Sequence, residues 1–115
     1  MLRAMAKSKI HGATVTQTEL NYEGSVTIPS DLMAQADILA GERVQIVNLA
    51  NGSRIETYVI TGQAGSGTIC LNGPAARCAT VGDPVHIISY CLCDEEEARR
   101  LTMRVVKVDQ ANRPV

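Results

Sequence analysis

Val44-Gln45-Ile46-Val47 and Ile55-Glu56-Thr57-Tyr58-Val59 flank Asn51-Gly52, and this stretch decides the class of fold. Apolar and polar residues alternate here with the period of two that sends successive side chains to opposite faces of a strand. Asn-Gly between two such runs predicts a hairpin closed by a type I′ turn, which needs positive φ at both central residues. Thr57 and Tyr58 then project to opposite faces of the returning strand.

Outward from the hairpin, strand-like segments recur at Leu2–Ile10, Thr14–Thr18, Ser25–Ile28, Arg43–Leu49, Ile55–Ile60, Thr68–Leu71, Val85–Tyr90 and Met103–Val108, with turn residues between them. Val, Ile and Thr supply 29 of the 115 residues while Phe and Trp are absent, a balance that favours sheet. Two helical pieces interrupt the strands. Ser30 is placed to cap Asp31 to about Asp37, with Gly41 punctuating the exit. Asp94 and Glu97 form a capping-box pattern, followed by the i,i+4 pairs Glu95/Arg99 and Glu96/Arg100, so the acidic run reads as a solvated helix start. Gln110 to Val115 read as a loose tail. Many short strands with little helix in a single domain imply a closed barrel or a sandwich.

Composition narrows the partners. Eleven basic side chains stand against 12 acidic ones, for a formal net charge of −1, and the cations are scattered singly, so no basic stripe for nucleic acid is present. No apolar run approaches the roughly 20 residues of a spanning helix, and Met1 to Lys9 has no apolar segment behind its cations. A cytoplasmic protein that engages no membrane is expected, with Cys70, Cys78, Cys91 and Cys93 reduced and acting as small buried hydrophobes. Those cysteines offer one C-x-C and no C-x-x-C, and His11 and His86 have no Cys or carboxylate at ligand spacing, so no metal is expected. Gly62 to Gly67 lacks the Gly-Lys-Ser/Thr ending of a phosphate loop and reads as an ordinary mobile loop. No G-x-S-x-G turn is present.

Gly24-Ser25 carries a specific chemical option. In a strained turn a serine hydroxyl can attack the carbonyl just before it and exchange the amide for an ester; glycine on the donor side leaves that carbonyl uncrowded. Elimination of the ester then leaves an N-terminal ketone, a pyruvoyl electron sink encoded in the chain, with no need of pyridoxal phosphate.

Five segments in register, Lys9-Ile10-His11, Leu20 to Ser25, Asn51 to Tyr58, Asn72 to Arg77 and Val81-Gly82-Asp83, resemble the bacterial aspartate 1-decarboxylase family. The match runs from about Met1 to Asp109. The resemblance implies a mainly β, six-stranded double-psi β-barrel with short helices, assembled as a homotetramer with active sites between protomers. It implies conversion of L-aspartate to β-alanine and carbon dioxide for pantothenate and coenzyme A synthesis, after self-cleavage between Gly24 and Ser25. Ser25 would supply the pyruvoyl group, with no pyridoxal phosphate and no metal.

The same resemblance implies roles residue by residue. Tyr58 is the proton donor, through its phenol hydroxyl. Arg54 and Lys9 supply positive charge to the dicarboxylate, Arg54 as a two-bond grip and Lys9 as a point charge. Thr57 donates to the oxyanion of self-cleavage and then to substrate. Asn72, Gly73, Pro74 and Ala75 form the loop that touches substrate; many relatives carry alanine at position 74, and a backbone donor needed there would come from Gly73 or Ala75. Tyr22 and His11 are supporting residues, and a maturation factor is an expected partner. The alternatives are a noncatalytic β-barrel binding module and a pyruvoyl decarboxylase of another small acidic amino acid.

Overall fold

The computed structural model describes residues 1–115. Its strands are β1 (Arg3–Thr14), β2 (Gln17–Glu19), β3 (Val26–Pro29), β4 (Arg43–Asn48), β5 (Arg54–Gly62), β6 (Cys70–Asn72), β7 (Pro84–Cys93) and β8 (Arg104–Lys107). They join in the order β2-β6-β3-β5-β4-β7-β1-β8, with helices α1 (Ser30–Gln35) and α2 (Glu95–Arg100) and a 3₁₀ helix, Gly73–Cys78, in the connections. Three ladders are parallel, β1 with β8, β2 with β6 and β3 with β5, and parallel ladders require crossing connections. The chain has eight strands where the resemblance implies six, because the short β2 and β8 add ladders at the two ends of the order.

Period-two patterning sorts the side chains. Val85, Ile87 and Ser89 of β7, Val44 and Ile46 of β4, and Ser8 and Ile10 of β1 face inward and are buried, while His86, Ile88 and Tyr90 between them stay partly exposed. Each large aliphatic side chain buried this way contributes about 1.5–3 kcal/mol. The buried hydroxyls of Ser8 and Ser89 satisfy each other.

The hairpin forms as expected, with Ile46 opposite Ile55 and Val44 opposite Thr57, but its turn is not type I′. Only Gly52 has positive φ, and five residues, Leu49 to Ser53, connect the strands. Asn51 instead uses its side chain, accepting from Ser53 N at 2.9 Å and donating to the Cys78 carbonyl at 2.9 Å. Pro29, not Ser30, occupies the N-cap of α1 without a side-chain bond, and Asp37 at φ 54° ends that turn before Gly41. The capping box of α2 and both of its ion pairs form as expected. Strand β1 runs through residues 11–13 by a bulge at Gly12, whose φ is 77°. Of the cysteines, Cys70 and Cys93 are buried and Cys78 and Cys91 only partly so.

The C-terminal residues are not a loose tail. Asn112 is 2% exposed, accepts from Thr14 N at 2.7 Å, and donates to the carbonyls of Thr14 at 2.8 Å and Gly67 at 2.7 Å. A Cβ on Gly67 would stand 2.4 Å from the Ala111 carbonyl oxygen, so the glycine-rich loop packs against this segment. Gly65 N also bonds Asp31 Oδ1 at 3.0 Å. Asn112→Ala leaves three backbone groups without partners and is expected to cost about 3 kcal/mol in urea unfolding, with the m-value unchanged.

Candidate active site

The connection between β2 and β3 carries the Gly24–Ser25 bond, and both residues have positive φ, 136° and 103°. Glycine adopts such angles freely, whereas a serine there stores roughly 1–3 kcal/mol and persists only where its surroundings hold it. Those surroundings are specific. Ser25 is 1% exposed, its carbonyl accepts from the Asn72 backbone N–H at 2.9 Å, and its Oγ accepts from Asn72 Nδ2 at 3.0 Å.

Asn72 is oriented in turn. Its Nδ2 also donates to Thr27 Oγ1 at 3.1 Å, and its Oδ1 accepts from Cys70 Sγ at 3.2 Å. Burial, assisted by the charge of Glu19, pushes the Cys70 thiol up, so it keeps the proton it donates. The sequence reading treated Cys70 as filler; the available signal was the i,i+2 spacing that puts Cys70 and Asn72 on one side of β6.

Gly73 makes the closest approach to the strained bond. At φ 66°, a Cβ on it would stand 2.7 Å from the Tyr22 carbonyl oxygen and 2.8 Å from Gly24 N. Pro74 follows in the first turn of the 3₁₀ helix, where its missing N–H leaves no helical bond unmade.

Together these elements enclose a cavity of about 310 Å³, lined by Gly24, Ser25, Ile55, Glu56, Thr57, Asn72, Pro74, Ala75 and Cys78. Six of these were expected from the sequence, and Gly73 lies against the Gly24 backbone beside them. Ile55, Glu56 and Cys78 were not expected. Cys78 ends the 3₁₀ helix, and its carbonyl is tied to β4 by Asn48 Nδ2 at 3.2 Å. A cavity of this size suits a small molecule.

Besides Gly73, five expected residues do not line the cavity. Arg54 and Tyr58 alternate with Thr57 and so take the other face of β5, where Tyr58 is 44% exposed and Arg54 Nη1 donates to Gln45 Oε1 at 2.8 Å. Lys9 and His11 lie on β1, three strands further along the same sheet. The His11 ring stacks on His86 at a centroid distance of 4.1 Å, and Gly12 N donates to His86 Nδ1 at 3.0 Å. Tyr22, in the connection before the strained bond, is 54% exposed.

Residues 1–115 match the family model for aspartate decarboxylase. The chain belongs to the aspartate decarboxylase family. Proteins named aspartate 1-decarboxylase from Thermoanaerobacter pseudethanolicus and Pelotomaculum thermopropionicum are 55% and 57% identical over 115 residues, covering all of this chain and 98% and 87% of theirs. The one from Clostridium acetobutylicum is 57% identical over 108 residues, 94% of this chain and 85% of its own. Two designed DPBB (double-psi β-barrel) proteins superpose with TM-scores of 0.51 and 0.50 at 15% and 17% identity, covering 67% and 77% of this chain and 90% and 99% of theirs. The fold is thus the double-psi β-barrel that the resemblance implied.

In this aspartate decarboxylase family member, burial, and then the charges of His11 and Lys9, hold His86 below the ordinary imidazole range. The unfolded chain therefore takes up this proton at higher pH than the folded chain. The stability that neutral His86 contributes is complete above about pH 6.5 and is lost as pH falls through the lower folded value. His86→Gln is expected to shrink the loss of unfolding free energy between pH 7 and 5, and equal losses in both proteins would exclude His86 from the balance.

Proposed function

We propose that this chain is a carboxy-lyase that converts L-aspartate to β-alanine and carbon dioxide with a pyruvoyl group made from its own Ser25. The carrying observation is the buried Gly24–Ser25 bond, with positive φ on both sides and both Ser25 oxygens held by Asn72. Attack of Ser25 Oγ on the Gly24 carbonyl gives an ester. Elimination leaves Oγ in the new Gly24 carboxylate, after which water supplies the ketone oxygen and the Ser25 nitrogen departs as ammonia. Asn72 holds Oγ for the attack, and Thr57, which lines the same cavity, donates to the oxyanion.

The surroundings of Ser25 fit such a group, since it is buried, borders a cavity and needs no bound cofactor. A ketone conjugated to the chain's amide supplies a carbonyl electrophile and a sink for the electron pair released with carbon dioxide. Around it, the chain's own residues bind substrate and move protons. Arg54 and Lys9 receive the carboxylates. The Tyr58 hydroxyl, which has no partner within the protomer, delivers its proton to the former α-carbon. The loop Asn72 to Ala75 closes one wall, with His11 and Tyr22 in support.

Ser25 faces the cavity while Arg54, Tyr58 and Lys9 lie on the outer face of the sheet, which supports a complete site formed between protomers of a homotetramer. No helix is long and apolar enough to cross a membrane. A cytoplasmic enzyme of pantothenate synthesis, matured alone or with a helper protein, is the reading that fits.

Intact-mass analysis tests the self-cleavage. Two chains are expected, residues 1–24 and 25–115, the larger blocked to Edman chemistry and reactive with hydroxylamine, whereas Ser25→Ala should give one chain and no carbon dioxide. Tyr58→Phe should cleave normally and lose at least about 100-fold in kcat; undiminished decarboxylation by that variant would remove Tyr58 as proton donor.

A further inference from the structure

Three adjacent strands, β5, β4 and β7, build a side-chain network on the outer face of the sheet. Gln45 of β4 sits opposite Glu56 of β5 and Ile88 of β7, with Arg54 two residues from Glu56 on the same face. Gln45 Oε1 accepts from Arg54 Nη1 at 2.8 Å and from the Tyr90 hydroxyl at 2.8 Å. Gln45 Nε2 donates to Glu56 Oε2 at 3.4 Å.

The chemistry of the partners fixes this amide. A guanidinium only donates and a carboxylate only accepts, so exchanging the oxygen and nitrogen of Gln45 would set donor against donor and acceptor against acceptor. Both lone pairs of Oε1 are used, one by Arg54 and one by Tyr90, so Tyr90 braces the oxygen that holds Arg54. Arg54 makes no ion pair in the protomer, although Glu56 is its neighbour along the strand face. The Gln45 amide engages Glu56 instead.

We propose that Gln45, braced by Tyr90, is a positioning residue that presents Arg54 to a substrate carboxylate and keeps Glu56 from neutralising it. The inference rests on the reading of Arg54 as a substrate-binding residue. Two consequences give Gln45 its effect. Arg54 is ordered before substrate arrives, so less rotamer freedom is lost on binding. Its remaining donor edge stays open to two parallel bonds with a carboxylate.

Steady-state kinetics on the self-cleaved protein with L-aspartate test this. Gln45→Ala is expected to raise KM roughly tenfold, the factor expected for ordering one long side chain, with kcat and the extent of Gly24–Ser25 cleavage within about twofold of the parent. Tyr90→Phe, which removes one oxygen from the network, should raise KM about threefold. In an Arg54→Ala background, Gln45→Ala should add nothing further. The inference is overturned if Gln45→Ala or Tyr90→Phe leaves KM unmoved, if Gln45→Ala lowers kcat alone, or if its effect adds in full to that of Arg54→Ala. A raised KM in Arg54→Ala with a normal one in Gln45→Ala sinks this inference alone. An unchanged KM in Arg54→Ala sinks the reading of Arg54, and this inference with it.

Discussion

Asn72 grips Ser25 twice, through its backbone N–H and through its side-chain amide, and the remainder of the site is arranged around that grip. Two buried hydrogen bonds contribute about 1–3 kcal/mol net, which is comparable to the strain of a serine at φ 103°. Balanced terms of this kind keep a bent bond in place without relaxing it. Any group that displaced Asn72 would let the bond relax, which explains the closeness of its neighbours: Cys70 fixes the direction of its amide, and Gly73 lets the following helix start against the Gly24 backbone.

The barrel makes the grip possible through a three-residue strand. β6 pairs in parallel with β2 and antiparallel with β3, so it lies between the two strands whose connection carries the strained bond. All three of its residues are buried. Both ends of the connection are thereby anchored to the same short element, Glu19 opposite Asn72 on one side and Val26 opposite Leu71 on the other. A break between residues 24 and 25 would leave each new end next to a ladder that does not run through the broken bond. Self-cleavage is compatible with this fold for that reason, because the fragments would remain joined by hydrogen bonds and core contacts distributed over the whole sheet.

What the sequence revealed, and what it hid, follows from the range of the forces involved. The existence of the central hairpin and the capping box of α2 depend on residues a few positions apart, and both were legible. Asn112 was hidden because its partners are Thr14 and Gly67, and nothing in the local pattern of residues 110–115 announces a buried clamp. The turn at Asn51-Gly52 was misread for a related reason, since Asn51 spends its side chain on Ser53 and on the distant Cys78 carbonyl, and a longer loop results. Within the site, Ser25, Asn72 and the loop that follows were legible from their resemblance to a family. Cys70, Ile55, Glu56 and Cys78 act through geometry that only the folded sheet creates.

The distribution of charge carries the argument about assembly one step further. No cationic residue lines the cavity beside Ser25; Glu56, the one charged residue at its edge, shares the outer face of β5 with Arg54 and accepts from Gln45 Nε2. Lys9 and Arg54, the cations a dicarboxylate needs, lie instead on the outer face by the alternation of β1 and β5, and neither has an acidic partner within 4 Å. A net charge of −1 conceals this segregation, because summing over the chain cancels charges that strand alternation keeps apart. One protomer therefore presents an electrophile precursor on one side and unpaired cations on another. A surface of unpaired cations meeting a second protomer's cavity would supply the positive charge that this cavity lacks, which makes association part of the chemistry in this reading.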